Sequence, residues 1–313
     1  MKMIQGTHNA LDDSRNETVK IFINGELIAR KDAKISVFDS GYLLGDGIWE
    51  ALRLHKGVLV FLDLHLKRLW QTATSAYIDL PFSKEELTNH IWDTIQCNQM
   101  HDNVHIRIMI TRGIKKTPSQ DPRLTIGSPN IVIIAEHKKA SPQTKQKGIT
   151  LFTSTIRRGS PDYLDPRLNC HSKLHEVQAL IQAIEAGADE ALMLDTHGFV
   201  STCNATNFFI IKDDEVWTST GQYCMNGITR GKIISICENK KIPCKQKDFS
   251  LFDVYAADEA FVTGSFGGIT PVTKIDGRII GKGKFGKLSK KLNYLYEQLI
   301  EEEITQKKAN AKG

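Results

Sequence analysis

The spacing of hydrophobic positions changes several times along the chain, and each change marks an element. IFINGELI (21–28) alternates on either side of Asn-Gly, which predicts a strand, a tight turn and a second strand. Beyond Phe61 the period lengthens. Over 61–77, Leu62, His65, Leu66, Leu69 and Trp70 fall on one helical stripe. Residues 83–98 repeat that pattern, and Ser83 with Glu86 supplies a capping-box start. Alternation returns at 104–113 and 130–137, which read as strands. IWEALRL, after the GDG at 45–47, reads as a strand or a helix start.

The second half has the same vocabulary. GITLFTSTI (148–156) is strand-like, and 171–188 is a helix that Gly187 closes. Residues 190–195 and 199–202 read as a hairpin, and 207–212 with 215–219 as the next pair. A helix over 228–241, a buried strand over 259–265 and a final helix over 285–304 complete the pattern. KKASPQTKQK (138–147) is polar with one proline and reads as a linker. The expected organisation is a flexible tail at 1–18, a smaller domain at 19–137, the linker, a larger domain at 148–304 and a tail at 305–313. Without a steady βαβ rhythm, the fold class is α+β, two domains of α/β type.

Composition narrows the function. The chain has 313 residues, 41% hydrophobic and 25% charged, which is ordinary for a globular protein and excludes a disordered chain or a fibre. The net charge of +5 is a mild excess concentrated in lysine-rich stretches, read as solvated faces with no nucleic-acid partner. The start lacks the apolar core of a signal peptide, and no run of about 18 apolar residues suggests a membrane span. The 6 cysteines form no CxxC pair, so no metal site is expected. Together these features predict a reducing, cytoplasmic location.

Candidate chemistry gathers at glycine turns. TGSFGGITP (263–271) follows a buried strand, and NGITRG (226–231) opens a helix. A helix N-terminus carries free backbone N–H groups and favours an anion. Such turns with a basic residue would form a phosphate cup; the plain alternative is ordinary turns and a capped helix.

Taken in order, FINGELI, DSGYLLGDGIWEALR, FLDLHLKRL, HIRIMITRG, LDPRLN, EAGADEALMLD, NATNFFIIK, NGITRG and ADEAFVTGSFGGITPV resemble the class-IV aminotransferases, fold type IV of the pyridoxal-phosphate enzymes. Branched-chain aminotransferases, D-amino-acid transaminases and aminodeoxychorismate lyase belong to that group. The resemblance implies the two-domain fold, a cofactor in the cleft between the domains, and a homodimer. It places Arg68 at the arginine that grips the cofactor phosphate. Ile228 and Thr229 match the helix-start pair whose N–H groups face the phosphate, and Ser265 stands for a family threonine.

The same comparison exposes two departures. The family pattern runs LDPR, an apolar residue, then the lysine that forms an imine with the cofactor. Here Arg167 and Leu168 lead to Asn169. An amide is not a nucleophilic amine. The glutamate that pairs with the pyridine nitrogen is replaced by Thr202, which can offer a hydrogen bond but no charge. Lys173, about one helical turn beyond Asn169, is the candidate substitute. Cys170, His171 and Cys203 lie near the altered positions. They read either as a Cys–His nucleophile or as a structural cysteine and a capping histidine. Arg112 is a candidate for a substrate carboxylate. Tyr42, Arg157 and Arg158 are weaker cleft candidates without assigned roles.

These residues support a divergent enzyme on a small amine or amino acid, with pyridoxal or pyridoxamine phosphate held non-covalently. The alternatives are an enzyme that takes another phosphate-bearing ligand on the same scaffold, and a non-catalytic binding or regulatory homologue.

Overall fold

The structure is a computed structural model that describes residues 6–8, 10 and 12–310. It divides into two compact units. One is formed by the described residues of Leu11–Lys139, Leu168–Lys173 and Glu303–Gly313, the other by those of Met1–Ala10, Ala140–Arg167 and Leu174–Glu302.

The first unit is built on a six-stranded sheet. Its strands are β1 (Lys20–Ile23), β2 (Glu26–Ala29), β3 (Gly47–His55), β4 (Val58–Leu59) and β5 (Val104–Thr111). A short ribbon of β6 (Ile114–Lys115) and β7 (Thr125–Ile126) precedes the sixth, β8 (Asn130–His137). The order is β2-β1-β8-β5-β3-β4, antiparallel throughout. Asn24 (φ 50) and Gly25 (φ 100) make the turn between β1 and β2, as the Asn-Gly signal predicts. GDG leads into strand, not helix, because β3 pairs along its whole length with β5, from Gly47↔Thr111 to Leu54↔Val104.

Helices α1 (Ser40–Leu44), α2 (Leu62–Ser75) and α3 (Lys84–Cys97) belong to the same unit. Leu66 and Leu69 of α2 and Leu87, Ile91 and Ile95 of α3 join Ile48, Leu52, Ile106 and Ile108 in its core. Each such burial contributes about 1.5–3 kcal/mol. The capping box of α3 forms: Glu86 N donates to Ser83 Oγ at 3.1 Å, and Ser83 N to Glu86 Oε2 at 2.7 Å.

The second unit holds a nine-stranded mixed sheet. Its first elements are α4 (Pro142–Lys147), β9 (Ile149–Thr153), α5 (Pro161–Leu164) and α6 (Leu174–Glu185). The strands continue as β10 (Glu190–Leu194), β11 (Val200–Cys203), β12 (Asn207–Lys212) and β13 (Glu215–Thr218). Then come α7 (Ile228–Asn239), β14 (Cys244–Gln246), α8 (Leu251–Tyr255), β15 (Glu259–Gly264), β16 (Gly268–Ile275), β17 (Arg278–Ile279) and α9 (Lys287–Asn310), whose residues from Glu303 on are grouped with the first unit. The order is β11-β10-β9-β16-β15-β12-β13-β14, with β17 beside β16. Phe208, Ile210, Val262 and Val272 lie in its main core, and α6 packs Ala179 and Ala183 onto Ala191 and Met193.

Several boundaries differ from the sequence reading. The stretch expected to link two domains contains α4, because Ser141 caps Thr144 and Pro142 sits at a first-turn position where proline is tolerated. The stretch expected as an N-terminal tail is tied down where it is described: Thr7 is buried and donates its backbone N–H to Glu190 Oε1 at 2.8 Å. Residues 1–5, 9 and 11 of that stretch lie outside the described residues. The expected tail from 305 continues α9 to Asn310, with no glycine or proline to stop it. Residues 168–173 cluster with the first unit, not with the block that surrounds them in sequence, because they pair with β3.

Candidate functional site

In the first unit, β3 and α2 bring Glu50, His65 and Arg68 together. Arg68 donates Nε to Glu50 Oε1 at 2.6 Å and Nη2 to Oε2 at 2.8 Å. His65 Nδ1 reaches the same Oε2 at 2.8 Å. Glu50 is 1% exposed. Burial pushes its carboxyl up, but Arg68 and His65 outweigh that and bring it down to about 2. Burial pushes His65 below its usual range against the pull of Glu50. Arg68 is thus oriented by a charged partner that sequence reasoning missed. The signal was present as a lone glutamate among the apolar positions of β3. A phosphate role asks for the guanidinium's other fork, Nη1 with Nη2.

Arg112 turns to the GDG loop. Its Nε and Nη2 donate to the two carboxyl oxygens of Asp46 at 2.7 and 3.0 Å, and further N–H groups donate to the Tyr77 and Ala76 carbonyls at 2.5 and 2.9 Å. In this structure its planar fork ties the loop before β3 to the end of α2.

Asn169, Cys170 and His171 run as an extended segment along the start of β3. Trp49 N donates to the Asn169 carbonyl at 2.9 Å, and His171 N to the Gly47 carbonyl at 2.8 Å. These bonds flank the antiparallel bridge between Ile48 and Cys170. Asn169 and His171 therefore share one face with Gly47 and Trp49, while Cys170 points to the other. Gly47 is required here: a Cβ would meet His171 Nδ1 at 2.5 Å. Gly41 is crowded too, with Thr111 Cγ2 2.5 Å from where a Cβ would stand.

Asn169 is 1% exposed, and its Nδ2 donates to the Trp49 carbonyl at 2.7 Å. Its Oδ1 is buried without a partner among the described residues, and so is His171 Nε2. Burial pushes His171 below its usual range. Arg107 and Lys173 add to that, while the Ile48 backbone and Asp39 oppose it. Instead of capping a helix, His171 is a strand-like residue, because α6 begins only at Leu174. Lys173 likewise precedes that helix and is half-buried.

The second unit holds the remaining sequence candidates. Helix α7 starts at Ile228 behind Gly227, and no side chain caps it. The first turn of an α-helix leaves N–H groups unanswered, so those of Ile228 and Thr229 suit an anion. A Cβ on Gly227 would collide with Asn207 Oδ1 at 2.2 Å, so glycine permits this entry. Thr229 Oγ1 lies 3.2 Å from the Tyr296 hydroxyl. Ser265 is half-buried in the turn between β15 and β16. Thr263 on β15, which packs beside α7, has a buried Oγ1 without a partner among the described residues.

Thr202 on β11 is 5% exposed and donates its hydroxyl hydrogen to the Thr206 carbonyl at 2.8 Å. That hydrogen is the only one the side chain has, so the donor role expected of Thr202 is already taken. Neighbouring Cys203 is fully buried. Burial, helped by the Glu190 carboxylate, pushes its thiol well up, which disfavours the thiolate. Arg157 donates to the Ser154 carbonyl at 2.9 Å, and buried Arg158 pairs with Glu176 at 2.6 Å. Tyr42, in the first unit, is 75% exposed. Among the described residues no cluster of three His, Cys, Asp or Glu side chains suits a metal, and no helix is long and apolar enough to cross a membrane.

The Arg68 guanidinium held by Glu50 in the first unit, and the uncapped start of α7 in the second, are each of a chemistry that suits a phosphate such as that of a pyridoxal-type cofactor. Comparison with known proteins agrees with the fold. The amino-transferase class IV profile matches residues 47–275. The branched-chain-amino-acid aminotransferase-like protein 2 of Arabidopsis thaliana is 38% identical over 287 residues, 91% of this chain and 51% of that protein. A D-alanine aminotransferase of Listeria monocytogenes is 31% identical over 292 residues, covering 90% of this chain and 97% of that protein. The chain spans about half the length of the Arabidopsis relatives it matches, 51% and 52%. Among solved structures, the branched-chain aminotransferase of the thermophilic archaeon Thermoproteus uzoniensis with norvaline superposes with a TM-score of 0.81 at 26% identity, over 90% of this chain and 95% of that one.

Proposed function

The chain belongs to the amino-transferase class IV family, and from that premise we propose that it is a divergent member which holds pyridoxal or pyridoxamine phosphate without a covalent tether. It acts in this reading on a small amine or amino acid. The observation that carries the proposal is Asn169. It stands at the lysine position by sequence spacing, it is buried, and its amide is held by the Trp49 carbonyl. Such a group can orient a ligand by hydrogen bonding but cannot form an imine.

Arg68, the N–H groups of Ile228 and Thr229, and Ser265 would hold the phosphate. When bound, the cofactor would supply the electron-accepting ring that amino-group chemistry requires. This chain's residues would contribute the anchoring charge, the orientation of Arg68 through Glu50, and neutral polar groups at 169 and 202. Thr202, its hydrogen donated to Thr206, would leave the ring nitrogen without a donor from that side. That detail also favours a second reading, in which the phosphate groups serve a phosphorylated ligand other than the cofactor.

The reading includes a homodimer. Ile35, Val37, Phe38, Tyr42 and Leu44 are exposed in one stretch of the first unit, an apolar surface of the kind an interface covers.

The test is an absorbance titration of the full chain with pyridoxal phosphate, followed by borohydride reduction and intact-mass analysis. Saturable binding without a mass gain is expected. A stable gain mapped to Lys173 or another lysine would overturn the untethered reading, and absence of binding would leave the phosphorylated-ligand reading.

A further inference from the structure

We infer that Asn169 and His171 form an acceptor pair for a primary amine, and that the amine they take is the aminomethyl group of pyridoxamine phosphate. The inference rests on the untethered-cofactor reading and goes beyond it by naming the form held and the groups that select it.

The geometry comes from the pairing with β3. Two residues apart on an extended segment, Asn169 and His171 face the same side with their Cα atoms about 7 Å apart. The bond from Asn169 Nδ2 to the Trp49 carbonyl fixes which way the amide points, so the unpartnered atom is the acceptor Oδ1. The Nδ1 side of the His171 ring lies over Gly47 and the Ile48 backbone, which favours a hydrogen there; Nε2 is then the lone-pair nitrogen. The result is a pair of buried acceptors with no donor among the described residues.

Such acceptors are costly in isolation and discriminate between ligands. A neutral primary amine brings N–H groups that can answer both. An aldehyde oxygen in that place would bring a further acceptor, with no hydrogen to share. The pair therefore selects the aminated cofactor against the aldehyde. The charges that face His171 point the same way. Burial comes first, Arg107 and Lys173 are cationic, and Asp39 opposes them. Surroundings that keep the imidazole neutral also favour the neutral form of a bound amine.

The full-length protein is titrated separately with pyridoxamine phosphate and pyridoxal phosphate by equilibrium dialysis, alongside the H171F, H171Q and N169L variants. Thermal melting verifies that each variant is folded. The expected result is about tenfold tighter binding of the amine form by the parent. H171F and N169L lose that preference, which is read on each variant as the ratio of its own two affinities. H171Q, which still offers an acceptor oxygen, retains most of the preference. Amine-form affinity falls as pH drops through the depressed range of His171, and this pH dependence disappears in H171F. Equal binding, or tighter binding of the aldehyde, overturns the inference while the untethered reading stands. Binding of neither overturns both.

Discussion

Two polar sites lie against strand β3, and they are built on opposite principles. At Glu50 the carboxylate is 1% exposed, and Arg68 and His65 answer both its oxygens. At Asn169 the amide is equally buried, yet its Oδ1 and His171 Nε2 have no partner among the described residues. The satisfied site behaves as architecture that aims an arginine. The unsatisfied one is what a ligand site looks like when its partner belongs to the ligand. Burial alone does not separate the two; the count of answered hydrogen bonds does.

The largest effect comes from turning the first kind of site into the second. Replacing Glu50 with alanine leaves Arg68 without its buried counter-charge, and a loss of about 3–5 kcal/mol in denaturant-monitored stability is expected. A loss below about 1 kcal/mol would remove the distinction between the sites.

A titration sharpens the same contrast. The Glu50 carboxyl is held down to about 2 in the folded chain, below the usual carboxylate range. Its stabilisation is therefore present above the unfolded value of about 4.3 and is lost as pH falls through about 2, on the order of 3 kcal/mol in all. The stability-versus-pH curve of Glu50→Gln should be flatter than the parent's in that window.

A smaller effect is expected at Gly47. Alanine there would place a Cβ 2.5 Å from His171 Nδ1 and 2.9 Å from the Ile110 carbonyl. The strain should cost about 1–3 kcal/mol by thermal melting and should displace the imidazole. Loss of ligand preference together with that destabilisation would tie the glycine to the segment it accommodates.

The smallest stability effect belongs to Asn169→Leu. It removes the unanswered Oδ1 but also the donor to the Trp49 carbonyl, and these nearly offset to a change of about 1 kcal/mol. A cost as large as that of the Glu50 variant would show that the amide is structural.

Much of the local architecture was legible in the chain. Asn24-Gly25 made its hairpin, the Leu62–Trp70 stripe made α2, and Ser83 with Glu86 capped α3. The family resemblance extended across both units through motifs in order. What escaped the sequence was the choice of partner, which only the folded chain makes. Lys173 was placed inside a helix, yet pairing of 169–171 with β3 delays α6 to Leu174. Thr202 gives its one hydroxyl hydrogen to Thr206, and the pairing of Arg112 with Asp46 was not foreseen. The buried role of Glu50 had no local signature beyond its being a charge within an apolar run.

The sequence by itself determined most of the long helices and strands, the capping box of α3, the family, and that residue 169 is an amide. Those are matters of covalent identity and of interactions between residues a few positions apart. Only the tertiary structure decided that the 168–173 segment joins β3, that Arg68 is aimed by Glu50, and that Oδ1 of Asn169 and Nε2 of His171 are left unanswered. Whether a buried polar atom finds a partner depends on groups distant in sequence, 18 positions for Arg68 and Glu50 and 120 for Asn169 and Trp49, and only folding brings them within hydrogen-bond reach.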